Sequence, residues 1–256
     1  MSFTALASRS SAAGVLAALV MSPVLWAQGA DDRVRALERQ LNDQKRLLRD
    51  WAGLIRYGSD DSELKPPKAG EDRVVFFGDQ ITEYWGKDKK DFFPGEPWLN
   101  RGVAGQTTDQ MLVRFRQDVI SLQPKAVVIL GGINDVAGLH GPSTEEMVMD
   151  NITSMTELAR ANGIRVALAS LTPVCDCFTS SASRRRWQER ISEVNELIEK
   201  YARRSDAVYL DYFSAMADHG DMKKELTKDG VVPNESGYQL MAPLARKAVA
   251  EALGRK

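Results

Sequence analysis

The sequence predicts an α/β domain with a parallel sheet covered by helices on both faces, and three observations predict it. From Arg73 onward, short apolar runs alternate with longer amphipathic segments. The runs are continuously apolar rather than alternating apolar and polar, as strands covered on both sides must be. The first four runs each end in a stretch rich in Gly and small polar residues, at the edge of a parallel sheet where ligands bind outside the carboxyl ends of the strands.

The elements follow in chain order. Within residues 1–30, Arg9 precedes the apolar run 12–21, then come Pro23 and the small-residue stretch AQGA at 27–30. That is the layout of a secretory signal peptide, so the protein is expected to be secreted or periplasmic. The run is far shorter than the roughly 20 apolar residues a spanning helix needs, so no membrane span is expected after cleavage. Residues 31–57 place Val34, Leu37, Leu41, Leu48, Trp51 and Ile55 on one face of a helix, behind the acidic start Asp31-Asp32. This amphipathic helix either docks on the domain or forms a short coiled-coil or partner-binding segment. Residues 58–72, polar and holding two prolines, read as a linker.

The domain itself spans 73–256. Its strand-like runs are VVFFG (74–78), LNRGV (99–103), AVVILGG (126–132), RVALASL (165–171) and AVYLDY (207–212). Helical patterns fall at 107–121, 144–162, 184–204 and 235–253. No internal repeat or low-complexity tract interrupts the alternation.

Composition narrows the partners. With 34 Lys and Arg against 35 Asp and Glu, the formal charge is -1, which offers no basic excess to draw nucleic acid or an anionic membrane surface. The two cysteines, Cys175 and Cys177 in PVCDCF, are too few for a zinc site and too close for an ordinary staple. Free or partly buried thiols are expected, with a local disulfide as the alternative. Nothing in the sequence calls for a metal or an organic cofactor.

The strand exits carry the chemistry. FFGDQITEYW follows the first run, NRGVAGQTT the second and LGGINDVAG the third, while LTKDGVVPNESGYQLMAPL lies near the end of the chain. These four blocks, in this order, resemble the SGNH or GDSL-like hydrolase superfamily of esterases and lipases over about Val74 to Ala250. The resemblance implies a flavodoxin-like three-layer α/β/α fold. It also implies an oxyanion- or ligand-binding set of Asp79, Gly105 and Asn134, with Asp79 just before the nucleophile, and an orienting acid at Asp229. The nucleophile position itself falls on Gln80, and the catalytic His position on Val232.

A carboxamide is a neutral, poor nucleophile, and a valine side chain can neither take nor give a proton. Other groups could be recruited: His140 after the third exit, His219 in MADHGD, the hydroxyls of Thr82 and Thr108, or an Asp79–Glu83 acid/base pair. The first expectation is a secreted pseudoenzyme that keeps a cleft for an acyl or acetylated-saccharide ligand. An esterase with rearranged catalytic residues is one alternative, and an interaction module built on the helix at 31–57 is the other.

Overall fold

The computed structural model describes residues 31–39, 41, 42, 45, 49–87, 92–178 and 182–255. The leader expected at 1–30 lies outside them. The chain divides into one unit of residues 1–48 and a second of residues 49–256. In the first, residues 31–39 are helical. Everything that follows belongs to the second.

Five strands form its sheet: β1 (Val74–Gly78), β2 (Trp98–Gly102), β3 (Ala126–Leu130), β4 (Arg165–Ala169) and β5 (Val208–Leu210). All neighbouring pairs are parallel, in the order β2-β1-β3-β4-β5. The chain runs outward from β1 to β2 and then crosses back past β1 to β3. The carboxyl ends of β1 and β3 therefore flank a topological switch point, where helices on opposite faces leave a crevice.

The helices are α1 (Gly58–Glu63), α2 (Gln80–Glu83), α3 (Thr108–Asp118), α4 (Ile133–Val136), α5 (Glu145–Ala161), α6 (Ala182–Arg204), α7 (Tyr212–Met216) and α8 (Glu235–Ala252). The long ones start where their sequence says they should. Thr107 and Gln110 form a capping box at α3, and the Thr144 and Asn234 side chains accept from backbone N–H groups at the starts of α5 and α8. Between α7 and α8, the strands β6 (Ala217–Asp218) and β7 (Asp221–Met222) make a small antiparallel hairpin. Among the described residues, no helix is long and apolar enough to cross a membrane.

Every residue of β1 is buried, and so is every residue of β3. Successive side chains of a strand point to opposite faces, which separates Phe76 from Phe77. Phe77 meets Phe115 of α3 edge-on at 5.3 Å. Phe76 enters an aromatic cluster with Trp85, Phe92, Phe93 and Trp98 at centroid distances of 5.0 to 6.0 Å. At the exits of β1 and β2 the backbones come very close. A Cβ at Gly102 would lie 2.1 Å from the Glu83 nitrogen, so only glycine lets α2 lie across the end of β2.

Three expectations need correction. The apolar pattern predicted a helix through residue 57, but residues 51–57 are mainly turns. The Asp50 carboxylate accepts from the Leu54 and Ile55 N–H groups at 2.7 and 2.9 Å, and Gly53 takes a positive φ of 67°, which a continuing helix forbids. Ala52 and Tyr57 are buried while Trp51 and Ile55 are exposed, the reverse of the predicted face. The expected linker holds α1, whose Asp61 pairs with Arg101 of the edge strand β2, so this polar stretch is tied down by charge. The preferred free thiols are also overturned. Cys175 and Cys177 are bonded to each other with their Cα atoms 5.3 Å apart, within the separation a bridge requires.

Candidate functional site

The site begins at the turn after β1. Asp79 is the N-cap of α2, its Oδ1 accepting from the Ile81 N–H at 2.9 Å. It is wholly buried, so it shapes the turn rather than facing a ligand as expected. Its other oxygen, Oδ2, has no hydrogen-bond partner among the described residues. Burial, with the nearby Asp135 charge adding to it, pushes the carboxyl up to about 7 against the lowering effect of the Ile81 N–H.

The turn presents Gln80 to the switch point. Its Oε1 accepts from the Gly105 N–H at 3.0 Å and from Asn134 Nδ2 at 2.8 Å. In return, Gln80 Nε2 donates to Asn134 Oδ1 at 3.1 Å. Asn134 Nδ2 also donates to the Gln106 carbonyl at 2.7 Å. Three residues from three strand exits, Gln80, Gly105 and Asn134, are thereby joined in one hydrogen-bonded node.

Each partner is aimed from behind. Gly105 has φ 81°, a left-handed conformation that turns its N–H toward Gln80. The Ala104 N–H donates to a Glu83 carboxylate oxygen, and Glu83 also pairs with Arg56 at 3.1 Å. Glu83 thus holds the 103–106 loop and is spent on structure rather than on acid/base work with Asp79. Asn134 sits in α4, whose Asp135 accepts from the Thr108 hydroxyl at 2.7 Å and the Thr108 N–H at 3.0 Å. Those bonds lock α4 to the start of α3. Thr108 is therefore a buried strut, and burial raises the Asp135 carboxyl while the Thr108 contacts pull it down.

Beneath the node lies a buried cation that sequence reasoning passed over. Arg114 of α3 is wholly buried and donates to the carbonyls of Gly78 and Arg101 at 2.9 Å each, to Gln106 Oε1 at 2.5 Å, and to Asp118 at 2.9 Å. Its guanidinium lies 4.1 Å over the Phe77 ring. One side chain thus ties the ends of β1 and β2 together. Its signal was the Arg114–Asp118 spacing of i, i+4 on an otherwise amphipathic helix.

The second region is the loop 227–234. Asp229 Oδ1 accepts from the N–H groups of Val231 and Val232 at 2.9 and 2.8 Å. Val232 is buried, and its carbonyl accepts from the Thr227 hydroxyl at 2.7 Å and the Lys228 N–H at 3.1 Å. The acid expected to orient a histidine orients its own turn instead. Cys175 N–H donates to the Gly230 carbonyl at 2.9 Å, so the disulfide loop braces the same turn.

The two histidines part company. His140 is exposed, with Nε2 3.1 Å from the Gly105 carbonyl, at the edge of the node. His219 stands in solvent at the β6–β7 turn, its side chain 98% exposed and its nearest charge Asp218 at 3.8 Å. Among the described residues, no group of three or more His, Cys, Asp and Glu side chains gathers to hold a metal ion.

Comparisons with known proteins agree with this architecture. Residues 76–240 match the model of the GDSL-like Lipase/Acylhydrolase family. A GDSL-like lipase structure from Bacteroides thetaiotaomicron VPI-5482 is 38% identical, superimposes with a TM-score of 0.74, and covers 79% of this chain and 100% of that one. A structure from Bacteroides fragilis NCTC 9343, provisionally assigned as an acylhydrolase, is 39% identical with a TM-score of 0.75 over 80% of this chain and 99% of that one. A Bacillus subtilis (strain 168) protein named as the uncharacterized lipoprotein YqeF is 24% identical over 220 residues, 72% of this chain and 88% of that protein.

Proposed function

This chain belongs to the GDSL-like lipase/acylhydrolase family, and from that premise we propose that it is a secreted pseudoenzyme that binds an acyl or acetylated-saccharide ligand without hydrolysing it. One observation carries the reading. Gln80 Oε1 already occupies the point on which the Gly105 N–H and Asn134 Nδ2 converge. Ester hydrolysis by the family mechanism needs an attacking hydroxyl, a base within reach of its proton, and donors left open for the developing oxyanion. Gln80 supplies no hydroxyl and fills the donors with its own carbonyl. Val232 supplies no base, and the Asp229 carboxylate is engaged by two backbone N–H groups.

The family's description supports an acyl-bearing ligand, and the leader pattern together with the lipoprotein name of the Bacillus subtilis relative supports a place outside the cytoplasm. Hydrolysis with His140 as a recruited base has one observation in its favour, the nearness of its Nε2 to Gly105. That nitrogen is engaged with a carbonyl, however, and among the described residues no hydroxyl hydrogen-bonds to it.

The test is hydrolysis of a short-chain aryl acetate by the mature protein beside its Gln80→Ser/Val232→His double variant. The expected result is a silent parent and a variant at least about 10² faster, the scale that positioned general-base catalysis contributes. A parent as fast as the variant overturns the reading, and a loss of that rate in His140→Ala would then identify the base.

A further inference from the structure

The Cys175–Cys177 bridge encloses a single residue, Asp176. A disulfide stabilises a fold mainly by restricting the unfolded chain, and it does so more the longer the loop it closes. Joining two positions that the chain already keeps together restricts it very little. The linkage runs both ways. A bridge between distant residues resists reduction because the fold holds its two thiols within reach, whereas here the fold adds little to that protection.

The two ends of the bridge differ in access. Cys175 is 3% exposed, whereas Cys177 is half-buried and lies between the exposed Asp176 and Phe178. A solvent thiol can therefore approach the Cys177 end. The shielded end is where three elements meet. The Val174 carbonyl accepts from the Met222 N–H of β7 at 3.1 Å and from Gln188 Nε2 of α6 at 3.4 Å, and the Cys175 N–H donates to the Gly230 carbonyl at 2.9 Å. The last of these bonds carries the state of the bridge to the 227–234 turn.

We propose that Cys175–Cys177 is a redox site for small thiols of the glutathione class, and that its state sets how firmly Cys175 holds the 227–234 turn. A thiolate attacks the Cys177 sulfur, forms a mixed disulfide and releases Cys175, which takes up a proton. A second thiolate attacks the added sulfur of that mixed disulfide, releases Cys177 as the second protein thiol and departs as the symmetrical small disulfide. Two electrons and two protons pass to the cysteines while two small thiols become one disulfide. With the bridge open, Asp176 and Cys177 are no longer tied back to Cys175, and its bond to Gly230 breaks more often. This inference goes beyond the question of hydrolysis, because neither Gln80 nor Val232 takes part in it.

The test is to hold the mature protein in about 10 mM reduced glutathione with about 0.1 mM glutathione disulfide, a poise at which the staples of secreted proteins stay closed. Alkylation and mass spectrometry are expected to find most molecules with two modified cysteines, and none in glutathione disulfide alone. Hydrogen exchange at the Cys175 N–H should quicken about tenfold on reduction while the N–H groups of β1 keep their rates. Cys175→Ala/Cys177→Ala should show the quickened exchange at position 175 in either buffer. The reduced parent gives the same comparison should that variant fail to fold. A bridge that stays closed, an unchanged rate at Cys175, or an equal quickening in β1 overturns the proposal, the last because it would make the bridge a staple of the whole domain.

Discussion

Two regions of this molecule, the turn that presents Gln80 and the 227–234 loop, are held together in opposite ways. At the switch point the occupant is polar and fully used: Gln80 exchanges hydrogen bonds with Asn134 and accepts the Gly105 N–H. In the 227–234 loop the occupant is apolar, and Val232 contributes only its backbone, while Asp229 serves the two N–H groups that follow it. The contrast follows from what each region would leave unsatisfied. Donors converging on a half-buried point cost free energy unless an acceptor meets them, and a carboxamide oxygen is such an acceptor. An acid on a loop can instead accept from the backbone N–H groups of its own turn, as Asp does in many turns.

If the switch-point region is the rigid one, its support should be the costliest to remove. Arg114→Met withdraws four acceptors' partner and leaves Asp118 buried without its cation, and should destabilise the fold by about 3 to 5 kcal/mol. Urea unfolding followed by circular dichroism measures this. A loss below about 1 kcal/mol would show that the strand ends are held by other means.

Asp79 sharpens the comparison through pH. Burial holds its folded pKa near 7, above an unfolded value of about 4, so the folded state keeps the proton more tightly. Its contribution to stability is therefore favourable at low pH and is lost as pH rises from about 4 to about 7. Asp79→Asn cannot ionise and should gain about 1 to 2 kcal/mol relative to the parent at pH 8, with little gain at pH 4. Melting curves at the two pH values decide it. An equal effect at both would place the cost in shape rather than charge.

The smallest effects compare the two occupants directly. Gln80→Ala should cost about 1 kcal/mol, since the Gly105 and Asn134 donors lose an acceptor that water can partly replace. Asp229→Ala should cost about 1 kcal/mol, because Asp229 is exposed and Val231 half-buried, so water can reach the Val231 N–H, while the N–H of buried Val232 loses its acceptor. Hydrogen exchange at Gly105, Val231 and Val232 separates the cases: the first should quicken only in Gln80→Ala and the other two only in Asp229→Ala. Crossed effects would mean that the regions are one coupled unit.

The sequence by itself determined a good part of this. Continuous apolar runs and period-matched amphipathic segments settled the α/β class and placed five strands and four long helices nearly where they occur, because these are local consequences of burial on both faces or on one. The exits GDQIT, VAGQTT and GGIND also marked the right edge of the sheet. The short helices α2 and α4 were not legible, since four residues are too few to show a period, and the 51–57 turn was misread because Trp51 and Ile55 fit a helical pattern that Asp50 and Gly53 break.

Only the tertiary structure decided that Gln80 closes on Gly105 and Asn134, residues 25 and 54 positions away. It also decided that Arg114 turns inward to the carbonyls of Gly78 and Arg101, and that Asp229 turns back onto its own loop. The physical reason is that a side chain's partners are set by which strand ends meet. The crossover that puts β3 beside β1, leaving β2 outside, is a property of the closed sheet and of no single stretch of chain.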